Sequence, residues 1–184
     1  LNRIDVEVKS SFINKEGTLI TKRKNIFSNK TIAGLTSTKN DAKVTLVGVK
    51  DKPGVAASVF KPFYQNYINV DMVVQTSSGN KRETDITFTI KSDDLLKTLR
   101  LIKQNKKIKC KDLIIDKNVS KVSIVGVGMV TSPGVTYRMF KALAKKNINI
   151  LVISTSEIKI SVLINKKYIT KAVSALHKEF NLDN

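Results

Sequence analysis

Two short stretches of the chain have the residue types and spacing to hold a small charged ligand. Residues 48–56 read Gly-Val-Lys-Asp-Lys-Pro-Gly-Val-Ala, and residues 126–136 read Gly-Val-Gly-Met-Val-Thr-Ser-Pro-Gly-Val-Thr. In each, a β-branched run stops at a Pro-Gly pair that opens a helix. A helix N-terminus presents backbone N–H groups with no intrahelical acceptor, which seat a carboxylate. Around the first stretch Asp51, Asp71 and Gln75 add acceptors for an ammonium group and a polar side chain. A carboxylate seat beside fixed anionic acceptors is what an α-amino acid requires. The same residues would also serve to turn the chain and cap the helix, and the sequence alone leaves both roles open.

Catalytic chemistry finds no such grouping, so no catalytic residue and no metal ligand is assigned. The single histidine, His177, lies beside the apolar stripe of the last helix with no nucleophile or metal partner to name, and reads as a surface or packing residue. Asp93 and Asp94 open a helix, where carboxylates offset the macrodipole. Gly126-Val-Gly128 is only a fragment of a phosphate-binding pattern. Cys110 stands alone, so a disulfide framework and a thiolate metal cluster are excluded, which suits a reducing cytosol.

These stretches are positioned by an internal repeat. Lys-Val-Thr-Leu-Val-Gly-Val at 43–49 recurs as Lys-Val-Ser-Ile-Val-Gly-Val at 121–127. Pro53-Gly54-Val55 recurs as Pro133-Gly134-Val135, Phe60 as Phe140, and Ile68-Asn69-Val70 as Ile148-Asn149-Ile150. In each unit a buried strand leads through Pro-Gly to an amphipathic helix, with Val55, Val59 and Phe63 or Val135, Met139 and Leu143 on one face. Two strands follow, the second alternating as Ile86, Phe88, Ile90 or Ile160, Val162, Ile164. A second helix closes the unit, the first of the pair capped by Ser92. The order β-α-β-β-α is ferredoxin-like, with two helices on one face of an antiparallel sheet, so the fold class is α+β.

The units are unequal. The first acquires a fourth strand near residues 109–115, whereas the second ends after its last helix. The segment 31–38, rich in small and β-branched residues, is the available substitute. The first unit, residues 43–117, is then inserted into the second, residues 31–42 plus 118–184, with residues 1–30 as a connecting segment. That connecting segment contains a strand-like alternation, Ile4-Val6-Val8, and a turn near Gly17.

Composition narrows the partners. The 184 residues carry 33 basic and 15 acidic side chains, a formal net charge of +18, with 41% hydrophobic residues. That is enough apolar content for packed cores and excludes a disordered basic tail. Only five of the basic residues are Arg, the lysines are scattered, and no Trp or Arg-rich aromatic platform is present, which argues against nucleic acid as a partner. No apolar run reaches the roughly 18 to 20 residues that span a bilayer, so no membrane partner is expected. Leu1 stands where Met would open a complete reading frame, as in a fragment or a processed chain.

Residues 47–56, residues 68–75 and residues 149–164 together resemble the C-terminal regulatory region of aspartate kinases, which carries tandem ACT domains; the likeness runs over roughly residues 10–182. It implies two ferredoxin-like ACT domains, one nested in the other, in a homodimer. It implies an amino-acid effector, lysine or threonine or both, bound for feedback control of a cytoplasmic enzyme. The kinase domain, which phosphorylates L-aspartate at the expense of ATP with Mg, would be the partner that carries those cofactors, and this chain would need none. Carried over position by position, a threonine-type site falls on Asp51, Lys52, Pro53, Gly54, Val55, Ala56 and Gln75, closed by Asn149 and Ile150 of the other repeat. A lysine-type site falls on Asn69, Val70 and Asp71 with Val135, Thr136, Ser156 and Glu157. Thr76, where relatives often have Asn, and the charged loop Lys81-Arg82-Glu83 depart from the pattern.

A free-standing ACT protein that regulates another enzyme is the alternative function, and a basic nucleic-acid-binding ferredoxin-like protein is a third. Upstream kinase sequence in the same reading frame separates the first two, and a salt-dependent gel shift tests the third.

Overall fold

The computed structural model describes residues 6–9, 12, 17–20, 31–77 and 82–182. Two β-strands near the start, β1 (Val6–Val8) and β2 (Thr18–Ile20), form a separate antiparallel ladder. The alternation expected there is present in part, with Gly17 just before β2; Ile4 lies outside the described residues.

The chain then runs β3 (Gly34–Lys50), α1 (Val55–Gln65), β4 (Val70–Ser77), β5 (Glu83–Lys91) and α2 (Leu95–Gln104). It continues β6 (Asp112–Val125), α3 (Val135–Ala144), β7 (Ile150–Thr155), β8 (Lys159–Asn165) and α4 (Ile169–Phe180). Six strands form one antiparallel sheet in the order β4-β5-β3-β6-β8-β7.

The two central strands serve both halves. In β3, residues 34–38 pair with residues 121–125 of β6, and residues 43–47 pair with residues 112–116. The first stretch gives the second unit its fourth strand, and the far end of β6 does the same for the first unit. The fold is therefore two ferredoxin-like βαββαβ units, the first inserted into the second, sharing one sheet.

The sequence suggests two strands where β3 is one. Lys39-Asn40-Asp41, between the two expected strands, is a bulge in an unbroken strand. Asp41 is buried there, accepting a hydrogen bond from the Thr38 hydroxyl and lying 3.6 Å from the Lys91 ammonium. Ser92 does not cap α2. It begins a 3-10 turn, Ser92–Asp94, and the residue preceding α2, Asp94, makes no side-chain cap bond.

Each unit has its own core. Ala42, Val44, Leu46 and Val49 of β3 pack with Val59 and Phe63 of α1, Phe88 of β5 and Leu95 and Ile102 of α2. Phe60, Phe63 and Phe88 meet edge-on or tilted, with ring centroids 5.4 to 5.9 Å apart, geometry that aromatic quadrupoles favour. In the other unit Val122 and Ile124 of β6 pack with Met139 and Leu143 of α3, Val162 and Ile164 of β8, and Ala172 and Leu176 of α4. Ile32 belongs to this core and Leu35 packs against it, so the leading half of β3 is joined to the second unit by side chains as well as by its ladder.

A third cluster joins the units. Val119 and Leu163 alternate out of phase with Val122 and Val162, so they lie on the sheet face away from α3 and α4. Met72 of β4 packs against both. Three strands separate β4 from β8 in the sheet, so this contact requires the sheet to curl until its helix-free face folds on itself. A bulge between Asp71 and Val74, with Met72 at φ 45°, aims the methionine inward.

Candidate functional site

The Pro-Gly pairs form the same local geometry in both units. Gly54 and Gly134 precede α1 and α3 with φ of 83° and 93°, the left-handed region that glycine enters without cost. Neither helix has a side-chain cap bond. The N–H groups of Ala56 and Ala57, and of Thr136 and Tyr137, have no intrahelical acceptor, and Ala56 and Thr136 each line a cavity.

The first cavity, about 410 Å³, is lined by Asp51, Lys52, Pro53, Gly54, Val55, Ala56 and Gln75. These are the seven residues expected of the first unit. Asp51 is exposed, and among the described residues its carboxylate makes no hydrogen bond or ion pair, while its N–H donates to the Arg82 carbonyl at 2.8 Å. A capping role for this carboxylate is thereby excluded. It is left as an uncommitted anion beside uncommitted N–H donors.

The second cavity, about 360 Å³, brings Val135, Thr136, Ser156 and Glu157 together. Ser132, Thr155 and Met129 also line it, and sequence reasoning missed them. The signal was available, because the 80-residue offset that maps Pro53 onto Pro133 also maps Lys52 onto Ser132 and Gln75 onto Thr155. It maps Asp51 onto Thr131, and among the described residues the one carboxylate lining the second cavity is Glu157.

The remaining expected residues are not brought to either cavity within one chain. Asn69 and Val70 line a third groove of about 350 Å³ with Tyr64, Tyr67 and Val73, all exposed, at the outer edge strand β4. Asn149 and Ile150 lead into β7, the outer strand at the opposite edge.

Asp71 is committed elsewhere. Its carboxylate accepts a hydrogen bond from the Lys121 ammonium of β6 and another from the Met72 N–H at 2.8 Å. Partial burial pushes the Asp71 carboxyl up, but the Lys121 hydrogen bond, the Met72 N–H and the charges of Lys121 and Lys159 outweigh it and hold it below its ordinary value.

The glycines at 126 and 128 have a steric purpose. A Cβ on Gly126 would lie 2.8 Å from the Ile32 Cα, and one on Gly128 would lie 2.7 Å from the Thr31 Cα. They let residues 31–33 pass close beneath the loop, where the Ala33 N–H donates to the Val125 carbonyl at 2.8 Å. Burial pushes the Cys110 thiol up, opposite to the shift that a reactive thiolate needs. Among the described residues no three His, Cys, Asp or Glu side chains gather closely enough to hold a metal ion, and no helix is long and apolar enough to cross a membrane.

The ACT domain family matches this chain twice, over residues 44–105 and 122–180, one match in each structural unit. The chain belongs to the ACT-domain family. Its relatives make it the regulatory ACT region of an aspartate kinase. An aspartokinase of Pseudomonas aeruginosa is 44% identical over 183 residues, covering 98% of this chain and 44% of that protein. The regulatory subunit of aspartate kinase from Thermus thermophilus is 36% identical with a TM-score of 0.75, covering 82% of this chain and 99% of that one. Aspartate kinase from Synechocystis is 30% identical with a TM-score of 0.76, covering 97% of this chain and 33% of that one. This ACT chain therefore spans less than half the length of the curated relatives it matches.

Proposed function

We propose that this ACT region binds an amino-acid end product, lysine or threonine or both, and through it sets the activity of an aspartate kinase catalytic domain or subunit. That partner phosphorylates L-aspartate with ATP and Mg in the cytoplasm, at the entry to lysine, threonine and methionine synthesis. The observation that carries the reading is the matched pair of cavities. Each combines a left-handed glycine, unclaimed helix N–H groups and a carboxylate, which together satisfy both ends of an α-amino acid. An effector acts on the kinase by no more than its difference in affinity for the active and inhibited assemblies.

The active assembly in this reading is a homodimer. Residues 43–117 form one ACT domain, residues 31–42 and 118–184 the other, and residues 1–30 are an N-terminal connecting segment. Among the described residues strand β4 pairs only with β5 and β7 only with β8, so both outer edges offer backbone groups to a second copy. Side-by-side pairing of first unit with second brings Asn149 and Ile150 of one copy to the Asp51 cavity of the other. The same pairing brings Asn69 and Val70 to the Glu157 cavity. The supporting experiment is calorimetric titration with lysine and threonine, separately and together. Saturable heat for at least one is expected, and no heat for either at millimolar concentration overturns the effector assignment.

A further inference from the structure

A fourth cavity, about 520 Å³, lies beside the first and is walled by Lys50, Lys52, Lys106, Lys107 and Lys109 over a floor that includes Val49 and Val55. The lysines come from two separate places, the end of β3 with the loop after it, and the loop that follows α2. Their convergence is a property of the fold and is not visible in the scatter of lysines along the sequence.

What sets them apart is the lack of counter-ions. Where a carboxylate is within reach this chain uses it: Lys111 pairs with Glu83 at 2.6 Å, Lys91 with Asp41, and Lys121 with Asp71. Among the described residues none of the five cavity lysines is within ion-pair distance of a carboxylate. Asp51, between Lys50 and Lys52 in the chain, lines only the neighbouring cavity, which shares Lys52 and Val55 with this one. Five like charges around one concavity repel each other and focus a positive potential into it, which an anion relieves.

We propose that this cavity binds a small polyanion carrying a di- or triphosphate group. Ammonium groups are point charges with three donors and no acceptor, well matched to clustered phosphate oxygens from several directions. A lone carboxylate would neutralise only one of the five. The volume lies within the roughly 300 to 1,000 Å³ of small-molecule sites. The buried Val49 and Val55 side chains give the floor an apolar surface that an inorganic chain ignores and a nucleoside can cover.

The test is titration of the full chain with inorganic tripolyphosphate, ATP and adenosine, with no amino acid present, so that its outcome is independent of the effector reading. Saturable tripolyphosphate binding and none by adenosine is expected. Equal affinity for ATP and tripolyphosphate assigns recognition to the phosphates alone, and tighter ATP binding makes a nucleotide the source. The double variant Lys106→Glu with Lys107→Glu should weaken binding by at least about tenfold. Lys145→Glu with Lys146→Glu, an equal charge change at the end of α3 outside the four cavities described, should stay within about twofold. If the charge reversal prevents folding, the triple Gln variant at 106, 107 and 109 replaces it with the same expectation. Absence of tripolyphosphate binding, or equal loss in both double variants, overturns the site.

Discussion

Asp71 at the start of β4 and Lys121 in the middle of β6 form an ion pair that crosses from one ACT unit to the other. The Lys121 side chain is 14% exposed and that of Asp71 54%, so the cation is the member sheltered from water. With the Met72, Val119 and Leu163 contact beside it, this pair fixes how the helix-free face curls. A ligand that displaces the Asp71 carboxylate changes the joint between units, whichever unit it occupies.

Replacing Asp71 by Asn leaves a sheltered ammonium without its counter-charge. The expected loss is about 1 kcal/mol in urea unfolding, below the full value of a charged hydrogen bond because Asp71 is half in water. The pH dependence has a definite sign. The Asp71 carboxyl is held below its ordinary value of 3.8 in the fold, so its stabilisation is complete above that pH and fades as pH falls through the lowered value. The Asn variant should therefore lose less stability than the parent on acidification below that point. Parallel acid-unfolding curves for the two chains would contradict it.

Asp51→Ala should separate binding from stability. With no cap bond to lose, its unfolding midpoint should match the parent within about 0.5 kcal/mol. Amino-acid binding in the first cavity should weaken by about 1.5 to 3 kcal/mol, the value of a charge-assisted hydrogen bond. Glu157→Gln should do the same to the second cavity and leave the first unaffected.

Gly126→Ala inserts a methyl group against the Thr31 and Ile32 backbone. Since this is backbone and not a flexible side-chain end, a cost of about 1 to 3 kcal/mol is expected, with amide protection lost first over residues 34–38. A stability equal to the parent would show that the segment can step aside.

Deletion of residues 1–42 should damage the downstream unit. It removes the ladder partners of residues 121–125 and takes Ile32 and Leu35 from a core whose other members lie beyond residue 121. Faster amide exchange in β6 and α4 than in α1 is the expected pattern. Uniform protection across both units would mean that the leading half of β3 contributes little.

The apolar stripes were legible because helix and strand periods are strict: Val55, Val59 and Phe63, and Val135, Met139 and Leu143, are all buried as their spacing requires. The cavity of Asp51 and Gln75 was legible through the repeat and the Pro-Gly turns. The continuity of β3 through Asn40 and Asp41 was hidden by residues that usually mark turns, and only the Thr38 and Lys91 partners make a buried aspartate acceptable there. The Asp71–Lys121 pair was hidden because it depends on sheet curl, a tertiary property with no period in the sequence. For the same reason the counter-ion-free lysine cavity could not be told from a solvated lysine-rich surface.

The most direct measurement of the central claim is complementation between two variants expected to bind the effector more weakly, Asp51→Ala and Asn149→Ala. If the chain pairs as proposed, each homodimer lacks one contributor to both of its Asp51 cavities. A mixed dimer contains one cavity with both residues native if Asp51 of one copy meets Asn149 of the other. Titration of the refolded mixture with the effector should then recover the parent affinity at a fraction of the sites. Failure to recover any sites of parent affinity, in mixtures shown by sedimentation to contain the mixed dimer, would contradict effector sites completed across two copies.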